Sequence, residues 1–161
     1  MAEGAARRLG LPAETVTRVR RDGRFTREHI AAAPGEEAAV MRRFVELWEQ
    51  ADVDGIVAML ADEALLTMPP EPMAILGAEA IGEFFRSVPA GGDLGRIRLV
   101  PSRANGQPAL AAYFAREEGA VFEGYGVMVF ALDGEAITGI TGFAGMGGLL
   151  TAFGLPSELE A

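Results

Sequence analysis

At 161 residues and 17.0 kDa, with half its residues hydrophobic, the chain has the size and apolar content of one domain that buries its own core without staples. Zero cysteines exclude disulfides, thiolate ligands and a cysteine nucleophile, and with a single histidine, His29, far from any second imidazole, neither a zinc site nor a Ser-His-Asp triad is expected. The net charge of −9 is uneven: residues 1–30 hold seven arginines against four acids, a net +3, and residues 31–161 hold seven against nineteen, a net −12, so the main body repels a phosphate backbone and is not expected to bind nucleic acid.

In chain order, the first 35 residues read as a basic N-terminal arm, helical or mobile, that closes on Ala33-Pro34-Gly35. It lacks the apolar stretch of a signal peptide, and no window reaches the roughly 18 apolar residues of a membrane span, so a cytoplasmic protein with no membrane partner is expected. From Glu36 the residues Val40, Met41, Phe44, Val45, Leu47 and Trp48 recur at three- and four-residue spacing, which predicts a helix with one buried face. Asp52 is placed to cap a second, short helix carrying Val53, Ile56, Val57 and Leu60 inward and ending near Asp62. A strand over Leu65–Met68 runs into the prolines at 69, 70 and 72, which stop both helix and sheet. Gly77 precedes a third helix with Ile81, Phe84, Phe85 and Val88 on its buried side, closed by Pro89 and Gly91-Gly92.

Four longer strands follow, over Arg96–Ala104, Gln107–Ala115, Val121–Leu132 and Glu135–Ala144. Asn105-Gly106 and Asp133-Gly134 supply the positive φ angles of tight hairpins, so these strands are expected to be antiparallel neighbours. Helices first and a hairpin sheet afterwards give an α+β fold. Gly124, Gly126, Gly139 and Gly142 inside the strands fit either a strongly bent sheet or ordinary bulges. The domain is expected to span residues 36–156, with 157–161 as a tail.

Several segments, in their order, carry a family resemblance: Phe44-Val45-Glu46-Leu47-Trp48-Glu49 with Ala51-Asp52-Val53-Asp54-Gly55, then Met68-Pro69-Pro70-Glu71-Pro72, Gly77-Ala78-Glu79-Ala80-Ile81 and Phe84-Phe85. From Met41 to Pro156 the chain resembles the SnoaL-like branch of the nuclear-transport-factor-2-like superfamily. Within that branch, Met68-Pro69-Pro70, the run Leu99 to Ala109 and the closing Phe153-Gly154-Leu155-Pro156 most resemble the C-terminal accessory domain of extracytoplasmic-function sigma factors. Ahead of it, Ala5 to Val16 is similar to the second half of a sigma region-4 helix-turn-helix, and with four residues before that stretch a complete DNA-reading unit is not expected. The resemblance implies a cone-shaped α+β barrel: three N-terminal helices on a strongly curved, mostly antiparallel sheet that encloses a mostly apolar pocket.

Related ketosteroid isomerases need a carboxylate base and a tyrosine with a protonated acid that hold the oxyanion. Laying that pattern on this chain puts Phe44 at the oxyanion tyrosine, Leu60 and Phe85 at its supporting tyrosines, Met68 at the base and Gly126 at the second acid. The Asp-Arg-Asp set of limonene-epoxide-hydrolase relatives is equally missing, since the corresponding Leu110-Ala111-Ala112 is apolar. The polar residues left near the expected pocket are Arg103, Tyr113, Glu123, Tyr125 and Thr141. Strand alternation from Gly126 puts Glu123 and Tyr125, with Val127 and Val129, on the outer face, where a homodimer is expected.

The resemblance and the helix and strand faces together nominate the pocket residues. Phe44, Trp48, Met59, Leu66, Met68 and Phe84 come from the helices and first strand, and Phe85, Arg103, Tyr113, Gly126, Met128 and Phe143 complete the set, with Arg103 as first polar anchor. Burial of an apolar, planar or lipid-like small molecule is the expected binding mode, without cofactor or metal. Two readings stay open: a non-catalytic ligand-binding or regulatory domain, and a polyketide-cyclase or isomerase-type enzyme that works by shape and desolvation.

Overall fold

A computed structural model describes residues 34–161, and its first element is the helix that the apolar spacing predicts. The reading of residues 1–33 as a basic arm lies outside the described residues. Helix α1 runs Pro34–Glu49; Pro34 opens it, where a missing amide proton costs nothing, and Glu36 and Glu37 complement the positive end of the helix. Its inner face is as expected: Met41, Phe44, Leu47 and Trp48 are buried, Phe44 completely.

Asp52 accepts a bond from the Gly55 amide at 2.9 Å and starts α2, Val53–Met59. The helix stops three residues earlier than its sequence suggests. At Leu60 the backbone turns extended to pair with Ile137, so strand β1 covers Leu60–Thr67 rather than only its second half. A strand absent from the sequence reading, β2 at Ala74–Leu76, folds back antiparallel on β1 and is too short and too close to the prolines to show a period-2 pattern. Helix α3, Ala78–Ser87, buries Ile81 and Phe85 as expected, but Val88 is its 56% exposed C-cap and stands at the rim of a cavity between helices and sheet rather than in the core. Arg86 holds α3 to α2 through Asp54, and bonds Glu83 at 2.7 Å.

Two 3₁₀ turns, Pro89–Gly92 and Leu94–Arg96, lead into β3 (Ile97–Ala104), β4 (Gln107–Phe114), β5 (Phe122–Asp133) and β6 (Ala136–Phe143). Asn105 and Gly106 both take positive φ, 51° and 77°, in the β3–β4 hairpin, as their sequence demands. Adjacent strands from β3 to β6 are antiparallel, whereas β6 runs parallel to β1, giving the order β2-β1-β6-β5-β4-β3. The fold class is α+β as expected, with one difference: the sheet keeps two edges and is not closed into a barrel, and the helices cover its hollow. Beyond β6, α4 (Leu149–Ala152) and β7 (Glu158–Leu159) follow, and β7 pairs with the start of β5, so the last five residues include a sheet strand.

The bent sheet separates two apolar clusters. The concave side packs Leu99, Leu110, Ala112, Phe130 and Ile140 against α1 and α3. The convex side packs Ala109, Ala111, Tyr113 and Val127 under Leu150 of α4. At the centre of the concave cluster, Phe44 meets Phe130 at 5.1 Å, Trp48 at 6.0 Å and Phe85 at 6.4 Å between ring centroids. Phe44→Ala removes all three contacts from a site with no solvent to fill it, and is expected to cost about 3–5 kcal/mol in chemical denaturation.

Candidate functional site

Beyond the aromatic cluster the helices and the sheet part, leaving a cavity of about 190 Å³. Trp48 of α1 and Phe84 and Phe85 of α3 form one wall. Leu66 and Met68 of the β1 arm, with Met128, Ile140 and Phe143 of β5 and β6, form the opposite one. Ala112 and Gly126 are its small-residue floor, and Val88, Pro89 and Ala90 stand at the opening. Among the described residues that line it there is no Asp, Glu, His, Lys or Arg. Among the described residues there is also no group of three His, Asp or Glu able to hold a metal ion.

Two lining side chains carry polar atoms. The indole N–H of Trp48 is already spent, donating to the Ile97 carbonyl at 3.2 Å. The other is Tyr125, which is 42% exposed and leans on Phe114 with 6.0 Å between ring centroids. Its position corrects the alternation argument. Ala112 pairs with Gly126 but Tyr113 pairs with Gly124, so Tyr125 is an extra residue, a β-bulge that resets the side-chain parity of β5. Phe122 and Gly124 therefore face the convex side while Met128 and Phe130 face the concave one, and Tyr125 lies at the cavity instead of on the outer face.

The nominated residues divide by position. Trp48, Leu66, Met68, Phe84, Phe85, Gly126, Met128 and Phe143 border the cavity, Phe44 stands directly behind Trp48 and Phe85, and Met59 packs on the core from α2 without reaching the opening. Arg103 and Tyr113 are elsewhere. The strand carries Arg103 past the cavity to the start of α1, where its guanidinium donates to Glu37 at 2.9 Å and to the Gly106 carbonyl at 2.8 Å, clamping the β3–β4 turn onto the helix. Tyr113 is fully buried on the convex side and donates to the Pro156 carbonyl at 2.8 Å, which anchors the C-terminal segment. Thr141 also faces the convex hollow, its hydroxyl 3.5 Å from that of Thr67, and exposed Glu123 pairs with Arg116 at 3.4 Å.

Sequence reasoning missed Tyr125, Ala112 and Phe114. Ala112 and Phe114 alternate correctly on β4 and were reachable from its period. The signal for Tyr125 is the Gly-Tyr-Gly triplet, because glycine on both sides of one strand residue marks a bulge.

Among known proteins, the SnoaL-like domain family matches residues 41–140. The ECF RNA polymerase sigma factor SigG of Mycobacterium tuberculosis is 29% identical over 133 residues, 82% of this chain and 35% of that protein, so the chain spans about a third of the length of this curated relative. Solved structures share the fold: a putative ketosteroid isomerase from Kribbella flavida (TM-score 0.54, 16% identity, 68% of this chain and 78% of that one) and SalBIII, an epoxide hydrolase/cyclase-like enzyme of pyran-ring formation in salinomycin (TM-score 0.53, 23% identity, 71% and 94%).

Burial pushes the Tyr113 hydroxyl above the ordinary tyrosine value of 10.0. Because the neutral form is the one the fold holds, stability is intact below that ordinary value and falls as pH rises through it, where the unfolded chain ionises first. Tyr125→Phe leaves Tyr113 as the sole tyrosine. Ultraviolet titration of that variant is expected to show ionisation only above the ordinary range, together with alkaline unfolding followed by circular dichroism.

Proposed function

We propose, from the premise that the chain belongs to the SnoaL-like domain family, that its cavity binds an apolar small molecule without transforming it, and that the domain acts as a ligand-responsive accessory module. The observation that carries this reading is the lining itself: among its twenty described residues there is no carboxylate, imidazole, ammonium or guanidinium group. A positioned general base contributes about 10²–10⁴-fold to a proton transfer, and none stands here to supply it. The family resemblance lays Met68 and Gly126 on the positions at which the isomerase pattern needs its acids, and both border the cavity. Similarity to SigG, a sigma factor, supports a regulatory setting in which occupancy of the cavity alters contact with a partner protein.

Size narrows the ligand. An engineered apolar cavity of about 150 Å³ takes up benzene, so about 190 Å³ suits a body of one ring or two small fused rings. Its free energy of binding comes from burial, at about 25 cal/mol per Å² of apolar surface removed from water. A cyclase working by shape and desolvation would use the same chamber, and the fold likeness to SalBIII is its support. Turnover of a substrate, as opposed to its retention unchanged, separates the two.

A homodimer through the convex face belongs to the same proposal. That face carries an open hollow bordered by Val129, Thr138, Thr141 and Phe153, the last 39% exposed.

Filling the chamber tests the binding reading. Gly126 is the wrong place to do so, because a Cβ there would lie 2.2 Å from the Phe143 carbonyl oxygen of the neighbouring strand. Ala112→Leu adds bulk to the floor instead. Native mass spectrometry of the freshly purified protein is expected to show a co-purifying apolar compound, unmodified, that the Ala112→Leu variant lacks while keeping its circular dichroism spectrum. Equal retention of the compound by a folded variant, or its conversion to product by the parent chain, contradicts the proposal.

A further inference from the structure

The bulge in β5 carries Tyr125 to the edge of the cavity. Gly124, Tyr125 and Gly126 are pinned by backbone on both flanks. The Gly124 amide donates to the Ser157 carbonyl at 2.8 Å, and a Cβ on Gly124 would lie 2.8 Å from Cδ1 of Leu150 and 3.2 Å from the Ser157 oxygen. On the other side, the Phe143 carbonyl leaves no room for a Cβ on Gly126. Slipping the register by one residue would put Tyr125 either at the Gly126 position, where the Phe143 carbonyl blocks a Cβ, or at the Gly124 position, where Leu150 and the Ser157 carbonyl would have to give way, so the bulge and the outward rim position of the tyrosine are favoured.

Because the Trp48 N–H is committed to Ile97, the Tyr125 hydroxyl is the single side-chain polar group of the lining without a hydrogen-bond partner among the described residues. Its ring is steadied by Phe114, and the far face of that cluster is occupied by Arg96, whose guanidinium carbon lies 4.9 Å from the Phe114 centroid. Arg96 is itself engaged: Nε donates to the Ala115 carbonyl at 3.0 Å and the terminal nitrogen to the Arg116 carbonyl. A tyrosine hydroxyl both donates and accepts. A buried charge, by contrast, finds no counter-charge in the lining, and an unpaired ion in an apolar site is strongly disfavoured.

We propose that Tyr125 is the specificity anchor of the chamber, selecting a neutral ligand with a compact one- or two-ring apolar body and a single hydroxyl or ketone oxygen at the end facing the opening. This rests on the binding reading above, in which the apolar body supplies most of the affinity and the oxygen supplies orientation. One neutral hydrogen bond at a rim is worth about three- to tenfold in affinity, enough to rank ligands without being needed for entry.

Three probes on one skeleton test it: indane, 5-indanol and indane-5-carboxylate, titrated into the full chain while the indole N–H resonance of its one tryptophan, Trp48, reports the chamber. The expected result is that indane binds, 5-indanol binds about three- to tenfold more tightly, the carboxylate binds no better than indane, and in Tyr125→Phe the ratio of 5-indanol to indane affinity falls to about one. If indane binds but 5-indanol gains nothing, or if Tyr125→Phe keeps the preference, the anchor is overturned and the chamber stands. A carboxylate that outbinds 5-indanol overturns it in favour of Arg96. If no probe moves the Trp48 resonance, the binding reading itself falls.

Discussion

Everything concave in this molecule is organised by the contact of Phe44, Trp48, Phe85 and Phe130. These four rings come from α1, α3 and the middle of β5, and they set how close the helices may approach the bent sheet. Trp48 meets Phe85 edge-on at 5.4 Å and, through its N–H, bonds the first carbonyl of β3, so the ring is oriented as well as packed. Behind the cluster the core is filled. Ahead of it the sheet continues to curve away while the helices end, and small residues, Ala112, Gly126 and Gly142, leave the difference as empty volume. The cavity is thus a consequence of where the large rings are and where the small residues are.

The convex side solves a different problem. Its apolar strip is covered by α4 and by the closing segment, which is held by the Tyr113 hydroxyl, the Gly124 amide and the pairing of Leu159 with Phe122. That same cover fixes the bulge, since Leu150 and Ser157 occupy the space a side chain at position 124 would take. Structure on one face of the sheet therefore decides which side chain is presented on the other.

Much of this was legible beforehand. The α1 face, the capping of α2, the inner face of α3 up to Phe85, and the Asn-Gly and Asp-Gly hairpins follow from periodicity and turn chemistry. What escaped the sequence had local causes. The resemblance and the strand faces place Arg103 and Tyr113 at the pocket, but one strand end overshoots the cavity to reach Glu37 and the parity of β4 turns Tyr113 outward. Tyr125 escaped because alternation was carried through a glycine pair, and a single extra residue inverts it. The strand β7 has two residues and no pattern to read.

Family membership fixes the fold, and the lining narrows what the site is equipped to do: it offers shape, apolar surface and one hydroxyl. The central claim is that this hollow is apolar and shaped for a neutral guest. Diffraction from a crystal pressurised with xenon tests it most directly, since xenon occupies dry apolar cavities of about this size. The account predicts a xenon atom among Trp48, Phe85, Ala112 and Met128; density from protein side chains or a hydrogen-bonded water cluster in that place, with no xenon, would contradict it.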